Sequence, residues 1–273
     1  MADHLDRVRK TAQRITEAQR ERDSAIIAAV RNGVSQADVA RAAEITRQRV
    51  GQIVAGIDAG AERALLTPEA GGAFVIAVVQ KQDHVSGQPV IGSTTRRAFD
   101  ALKDAAQSLG IRTEEPEEIG PPGIIDLNRS NLAVMMGPRT SAVVAMALSA
   151  DPVIRWRQDA RDRWYITDTE TGTEYHSGYD DGWQSGPGGE RECFAHVGRV
   201  RRPDGRGTFL YLGGAHSPGT AGAVNCFVRE MPALWEQVRR AAAWSAVVRT
   251  VTDDRGAIVS AELATPVYAH GRA

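Results

Sequence analysis

Three uninterrupted apolar runs constrain the fold of this chain most: Ala73-Phe74-Val75-Ile76-Ala77-Val78-Val79, Leu132-Ala133-Val134-Met135-Met136 and Thr208-Phe209-Leu210-Tyr211-Leu212. Each lacks the polar alternation of a half-exposed strand and is bounded by turn residues, so each fits a strand buried on both faces, as in a parallel sheet covered by helices. Thr94–Leu109 reads as an amphipathic helix with Phe99, Leu102 and Leu109 inward and Gly110 as its stop. Residues 114–123 are acidic and Pro-rich and predict a loop. Arg139–Ala150 is expected to be the helix after the second run, and Thr220–Arg229 and Pro232–Ala243 two more after the third. Ser245–Thr252 and Ile258–Leu263 read as strands around the turn Asp253-Asp254-Arg255-Gly256. Strand and helix alternate, so residues 73–273 predict a three-layer α/β domain of Rossmann-like type. The stretch from Val153 to Val200 departs from that pattern. Ile154-Arg155-Trp156-Arg157 and Trp164-Tyr165-Ile166-Thr167 alternate apolar and polar, which predicts a β-hairpin insertion.

The preceding residues differ in kind. Over residues 1–56, ten Lys or Arg stand against seven Asp or Glu, a balance of +3; with the whole chain at −1, the remainder carries −4. A basic head on an acidic body suits a nucleic-acid-reading module carried by a domain that does not itself favour phosphate backbones. From His4 to Asn32 there is no Pro or Gly, and Leu5, Val8, Ala12, Ile15, Ile26, Ala29 and Val30 fall near a seven-residue repeat that Gln19 and Arg22 interrupt. One long helix, or two broken near Arg20–Asp23, is expected, either packed on the module behind it or serving as a dimerising arm. Gly33 ends the run. Ser35 reads as an N-cap with Asp38 at the capping-box position. Val39 and Ala40 face inward, Ala43-Glu44-Ile45 make a turn, and Thr46 caps a second helix whose buried stripe is Ile45, Val50 and Ile53. Arg47, Gln48, Arg49 and Gln52 remain on its open side. Residues 57–72, with a short helical piece at Ala59–Leu66 followed by Pro68 and Gly71-Gly72, read as a linker.

The stretch from Gly33 to Val54 resembles the helix-turn-helix of bacterial repressors and of the promoter-reading region of sigma factors. The likeness rests on Ser35-Gln36-Ala37-Asp38-Val39-Ala40, the apolar Ile45 after the turn, the Thr46 cap and Val50-Gly51-Gln52-Ile53. It implies an all-α DNA-binding domain over residues 1–56 whose second helix enters the major groove of double-stranded DNA. Ser35, Gln36, Thr46, Arg47, Gln48, Arg49 and Gln52 are then the contacts to bases and phosphates, Arg suiting guanine and Gln adenine. One such module touches few base pairs, so a homodimer on two half-sites is expected. Many members of the family carry Gly in the turn, where this chain has Glu44; a Glu there fits if the backbone stays right-handed.

Two glycine-containing turns each follow a buried run and open an expected helix: Gly137-Pro138-Arg139-Thr140-Ser141 and Gly213-Gly214-Ala215-His216-Ser217-Pro218-Gly219-Thr220. At the carboxyl ends of strands in an open α/β sheet such turns line ligand sites, because free N–H groups at a helix start attract anions. Gly137, Arg139, Thr140, Ser141, Gly213, Gly214, His216, Ser217, Gly219 and Thr220 are therefore candidates for an anionic or nucleotide-like small-molecule effector. Against this, Gly, Ser and Thr also serve simply as tight connections and caps. No Walker motif occurs, and Gly214, Gly219 and Gly222 have the wrong spacing for GxGxxG. The pair of turns resembles nucleotide- or nucleotide-sugar-sensing Rossmann-like domains of bacterial regulators and defence proteins. The segment Gly198-Arg199-Val200-Arg201-Arg202-Pro203-Asp204-Gly205-Arg206-Gly207-Thr208, with Gly213-Gly214-Ala215-His216, resembles a broad actinobacterial group, a likeness that implies no function.

Catalytic and metal chemistry find weaker support. Cys226 sits on an expected apolar helix and reads as core; Cys193 falls in a loop-like region with no activating partner. His176, Asp180 and Asp181 suit an exposed turn better than a metal site, and the acids at 114–118 read as solvated charge. No cofactor and no metal are expected. Two unpaired cysteines, a charged N-terminal segment and no apolar run near the roughly 18 residues that span a bilayer predict a cytoplasmic protein with no membrane partner. The leading expectation is a sequence-specific transcriptional regulator. The alternatives are a nucleotide- or NAD-processing enzyme or defence effector with a helical adaptor, which would place a buried acid or His beside Arg139 or His216, and a plasmid- or chromosome-binding structural protein.

Overall fold

The structure, a computed structural model, describes residues 18, 22–23, 25–26, 29–30, 33–67, 69, 72–83, 87–180 and 189–272. The long N-terminal helix and its dimerising role fall almost wholly outside the described residues. The chain divides into two compact units, Met1–Ala61 and Glu62–Ala273.

In the first unit, the backbone N–H groups of Gly33 and Val34 donate to the carbonyls of Val30 and Ala29, and Gly33 takes φ +86°, the pairing that closes a helix on a left-handed residue. Helix α1 (Gln36–Ala42) starts at Ser35, whose hydroxyl accepts from the Asp38 N–H. Helix α2 (Arg47–Leu66) starts at Thr46, whose hydroxyl accepts from the Arg49 N–H. Both caps stand where the sequence places them. Val39, Ala40, Val50, Ile53 and Ile26 bury together. The turn between the helices departs from expectation. Glu44 takes φ +54°, and the N–H groups of Glu44 and Ile45 donate to Arg41 and Ala40. Glu44 thus occupies the left-handed position of a helix-closing motif in which a Cβ is penalised and glycine is the usual residue. The expected linker is also shorter. α2 runs without a break to Leu66 because Leu65 and Leu66 bury in the core of the second unit, so the helical piece at Ala59–Leu66 is the end of α2.

The second unit is a mixed α/β body. Its strands are β1 (Val75–Val79), β2 (Lys81–Gln82), β3 (Pro89–Val90), β4 (Glu117–Ile119), β5 (Leu132–Met135), β6 (Ile154–Gln158), β7 (Trp164–Asp168), β8 (Glu174–Tyr175), β9 (Arg191–Arg201), β10 (Thr208–Gly214), β11 (Ala241–Thr252), β12 (Ile258–Leu263) and β13 (Tyr268–Arg272). Its helices are α3 (Ser93–Ser108), α4 (Ala142–Leu148) and α5 (Ser217–Val238). The main sheet runs β12-β11-β9-β10-β5-β1-β4, with β13 also on β11. Pairing is parallel across β4-β1-β5-β10 and antiparallel from β10 onward. Half of the sheet thus departs from the expected parallel pattern. One face packs on α3 and α5 through Phe99, Leu102, Val224, Phe227 and Leu234. The other packs on α4 and the 120–131 connection through Val144, Leu148, Ile125 and Leu127. β6-β7-β8 form a separate small sheet, the expected hairpin plus one strand, packed by Ile154 and Ile166 against Val247 of β11.

Several local expectations are corrected. The segment expected as one helix from Arg139 is a 3-10 turn (Pro138–Thr140) followed by α4, because Ser141 interposes as a cap, accepting from the Val144 N–H. The two helices expected around Pro232 are the single helix α5 with Pro232 inside it. The Ala-rich Ala241–Ala243, expected as helix, opens β11, where β13 pairs with it; pairing overrides intrinsic propensity. The loop expected at 114–123 contains β4. The loop-like surroundings expected for Cys193 are the long strand β9, which carries His196 and Arg199 at buried positions. His196 is fully buried with its Nε2 3.3 Å from Asp151 Oδ2, and His270 approaches the other Asp151 oxygen at 3.6 Å.

Two consequences are measurable. Glu44→Gly relieves the left-handed strain and should raise the stability of the first unit by up to about 1 kcal/mol in chemical denaturation; a loss of stability refutes the assignment of strain. Burial works to raise the Asp151 carboxyl, but His196 beside it and the N–H groups of Ile154 and Val153 outweigh burial and hold it well below the ordinary carboxylate range. A depressed folded-state value means that its contribution is complete above about pH 4, the unfolded value, and is lost as the pH falls through the folded value. Asp151→Asn should cost about 1–3 kcal/mol at pH 7 and flatten the decline of stability below pH 4, read by thermal unfolding across pH.

Candidate functional site

The parallel strands place the candidate site. From β1 the chain crosses by α3 to β4 on one side, then returns by residues 120–131 over the opposite face to β5 on the other side. The connection that leaves β1 runs by α3 over one face and the one that leaves β5 by α4 over the other, so a crevice opens at the carboxyl ends of β1 and β5, the position where open α/β sheets take ligands. A cavity of about 210 Å³ lies there, lined by Val79 at the end of β1 and Lys81 beyond it, Met136, Gly137, Arg139 and Thr140 after β5, and Gly214, His216, Ser217 and Thr220 around the start of α5. The two glycine-containing turns far apart in sequence thus meet in one site.

Seven of the ten ligand candidates line this crevice: Gly137, Arg139, Thr140, Gly214, His216, Ser217 and Thr220. Ser141, Gly213 and Gly219 do not, and each has another task. Ser141 is buried, donating to the Gly123 carbonyl and capping α4. A Cβ on Gly213 would stand 2.2 Å from the Met136 carbonyl oxygen, and one on Gly137 2.5 Å from the Gly214 carbonyl oxygen. The freedom expected to admit a ligand is therefore spent on the close approach of the two turns. Gly219 lies over Cys193, 2.8 Å from Sγ to a built Cβ.

Cys193 also changes the expected electrostatics. Burial pushes its thiol up to about 11, against hydrogen bonds from the Ser177 hydroxyl and the backbone N–H groups of Gly219 and His216. The sulfur thus takes N–H groups at the start of α5 from behind, and the thiol stays protonated at neutral pH, which removes it as a nucleophile. Cys226 is likewise raised to about 11 by burial. The positive character of the crevice comes instead from side chains. None of the lining residues is acidic; Lys81 Nζ donates to Ser217 Oγ at 3.1 Å, and Arg139 is exposed.

Sequence reasoning missed Lys81 and Tyr179, and it placed Asp180 on an exposed turn beside His176, whereas the structure pairs it with His216. Asp180 Oδ1 lies 2.9 Å from His216 Nε2, with both side chains largely buried; the Tyr179 ring sits 5.8 Å from the imidazole, and the Arg191 guanidinium lies over the Tyr179 ring at 5.3 Å. A carboxylate on Nε2 fixes the ring's orientation and favours the tautomer with Nδ1 free to accept. The contact joins positions 36 apart in sequence, and no local periodicity signals it. His176 pairs instead with Glu174 at 3.1 Å and stacks on Tyr165; Asp181 lies outside the described residues. Among the described residues no group of three or more His, Cys, Asp or Glu is placed to hold a metal ion, and no helix is long and apolar enough to cross a membrane.

In the first unit, Thr46, Arg47, Gln48 and Arg49 are exposed at the start of α2 while Val50 and Ile53 are buried. Gln36 is half-buried, and the Ser35 hydroxyl donates to Asp38 at 2.6 Å, so Ser35 is occupied by its own cap. The side chain of Gln52 lies outside the described residues.

No protein-family model, no curated protein and no solved structure matches the chain.

The crevice geometry predicts an anion preference set by Lys81 and Arg139. Inorganic phosphate or a nucleoside monophosphate should raise the midpoint of thermal unfolding, and Lys81→Ala with Arg139→Ala should weaken that effect about tenfold or more; equal shifts in wild type and double variant exclude the site.

Proposed function

We propose that this chain is a sequence-specific DNA-binding regulator. Its first unit is read as a helix-turn-helix, with α2 entering the major groove and Thr46, Arg47, Gln48 and Arg49 touching bases and phosphates. The observation that carries this reading is the division of α2 at its start: Thr46, Arg47, Gln48 and Arg49 are exposed at a capped N-terminus while Val50 and Ile53 of the next turn are buried. Gln36 and Gln52 are assigned to flanking contacts by the same resemblance. Two copies on two half-sites supply the specificity that one short helix lacks. The second unit is read as a Rossmann-like domain that assembles the dimer and takes a small phosphate-bearing effector in the crevice. A cavity of about 210 Å³ suits a phosphate or sugar phosphate rather than a whole dinucleotide. Control of DNA binding then requires the effector to favour one state of the dimer over another.

One observation favours a second reading, a nucleotide-processing enzyme. The Asp180–His216 pair places a largely buried carboxylate on a histidine that lines the crevice, beside Lys81 and Ser217. In such an enzyme His216 acts as the general base or acid and Asp180 holds its orientation.

Binding of the full chain to genomic fragments, by electrophoretic shift, tests the first reading. Arg47→Ala with Arg49→Ala should reduce specific affinity by at least about a hundredfold, on the scale of 1–3 kcal/mol per lost base contact, with the thermal midpoint of the protein unchanged. Unaltered binding rejects the assignment of α2. Turnover of nucleotides that His216→Ala abolishes, with no sequence-selective DNA binding, replaces it with the enzyme reading.

A further inference from the structure

A second cavity, of about 400 Å³, lies on the α5 face of the main sheet at the start of β10, the end opposite the crevice. Its walls are apolar: Leu65 at the end of α2, Trp235 and Val238 near the end of α5, and Ala242 and Trp244 of β11. One lining side chain contradicts them. Arg199 of β9, directly across the ladder from Trp244, is only 6 % exposed. Its Nη2 donates to the Leu65 carbonyl, but its Nε and Nη1 are buried and have no partner among the described residues.

The charges around it do not balance. Arg199 and Arg202 are both buried, and the nearest carboxylate acting on them is Glu69. Glu69 is already engaged, one oxygen with Arg202 Nη2 and the other with the Ser130 hydroxyl at 2.6 Å. Two guanidinium groups thus share one carboxylate, leaving a positive charge at Arg199. Desolvation pulls that guanidinium down to about 9, against the pull of Glu69. Arg is almost never buried unless paired, and a buried N–H without an acceptor is a standing cost. The end of α2 accounts for one donor only.

We propose that this cavity binds a small monocarboxylic acid with an apolar body, its carboxylate on Arg199 and its hydrocarbon part against Trp235, Trp244 and Val238. Of the two cations that line the cavity, Arg199 is the one with unmet buried donors, and one such charge among largely apolar walls calls for one negative charge on an apolar molecule, not for a polyanion or a sugar. Among the residues that line the cavity the only other charged group is Arg239, 3.4 Å from Glu236. The site uses no residue of the crevice and stands whether or not the regulator reading holds.

The test uses the full chain and reads Trp235 and Trp244 fluorescence with calorimetry. The probes are 3-phenylpropionate and octanoate, with 3-phenylpropionamide and octanamide as neutral counterparts. Both acids, or one, should bind saturably, with the matching amide at least tenfold weaker. Arg199→Met should lose the preference for acid over amide. Ala242→Leu, which fills the cavity and leaves Arg199 in place, should weaken binding of both, and it decides the matter if Arg199→Met does not fold. Acid and amide binding equally, neither acid saturating below millimolar concentration, or binding untouched by Ala242→Leu overturns the proposal. So does a change of oligomeric state in Ala242→Leu by sedimentation, which would make this face a contact between copies of the chain.

Discussion

The close approach of two backbone turns organises the second unit. Where β5 and β10 end side by side, Gly137 faces the Gly214 carbonyl and Gly213 faces that of Met136, at separations that leave no room for a Cβ. The parallel pairing of Leu210 and Tyr211 with Ala133 and Val134 brings the two ends level. Gly214 then turns directly into α5, its N–H donating to Thr220 Oγ1 at 3.0 Å. The crevice, the position of His216 and the cover of Cys193 all follow from that contact. It is a packing constraint first, and the site is what remains beside it.

A second constraint is buried charge. β9 threads the centre of the antiparallel half and carries His196 and Arg199 on opposite faces, one beneath Asp151 and the other beneath the apolar cavity. The Asp151 carboxylate is supported by two backbone N–H groups, from Val153 and Ile154, as well as by its histidine neighbours, which is the arrangement that lets a buried ion be tolerated. Arg199 lacks such a set.

The parallel half was legible because its chemistry is local. Val75–Val79, Leu132–Met135 and Phe209–Leu212 are apolar without interruption, and the caps at Ser35 and Thr46 are single-residue signals read over three positions. The antiparallel half was legible only in part: Ser245–Thr252 and Ile258–Leu263 read as strands and fall in β11 and β12, whereas β9 and β13 went unread. β9 puts His196 and Arg199 at buried positions, which erases the apolar alternation, and their partners Asp151 and Leu65 lie far away in sequence. Ala241–Ala243 carries the composition of a helix and becomes strand because β9 and β13 flank β11. The crevice was half legible: turn residues announced Gly137, Arg139 and His216, whereas Lys81 reaches it, and Asp180 reaches His216, only through the topology. At Glu44 the residue type misled, since a non-glycine occupies a left-handed position that α1 and the turn over-determine.

The sulfur of Cys193 behind α5 has a consequence for how this crevice can change. A site whose charge is built from peptide groups is tied to the course of the main chain and resists revision. Here the peptide N–H groups of His216 and Gly219 are turned toward a thiol, and the crevice draws its polarity from Lys81, Arg139, Thr140 and His216. Each of those can be exchanged without moving a strand, so descendants of one such scaffold could come to answer to different small molecules through single replacements at its rim.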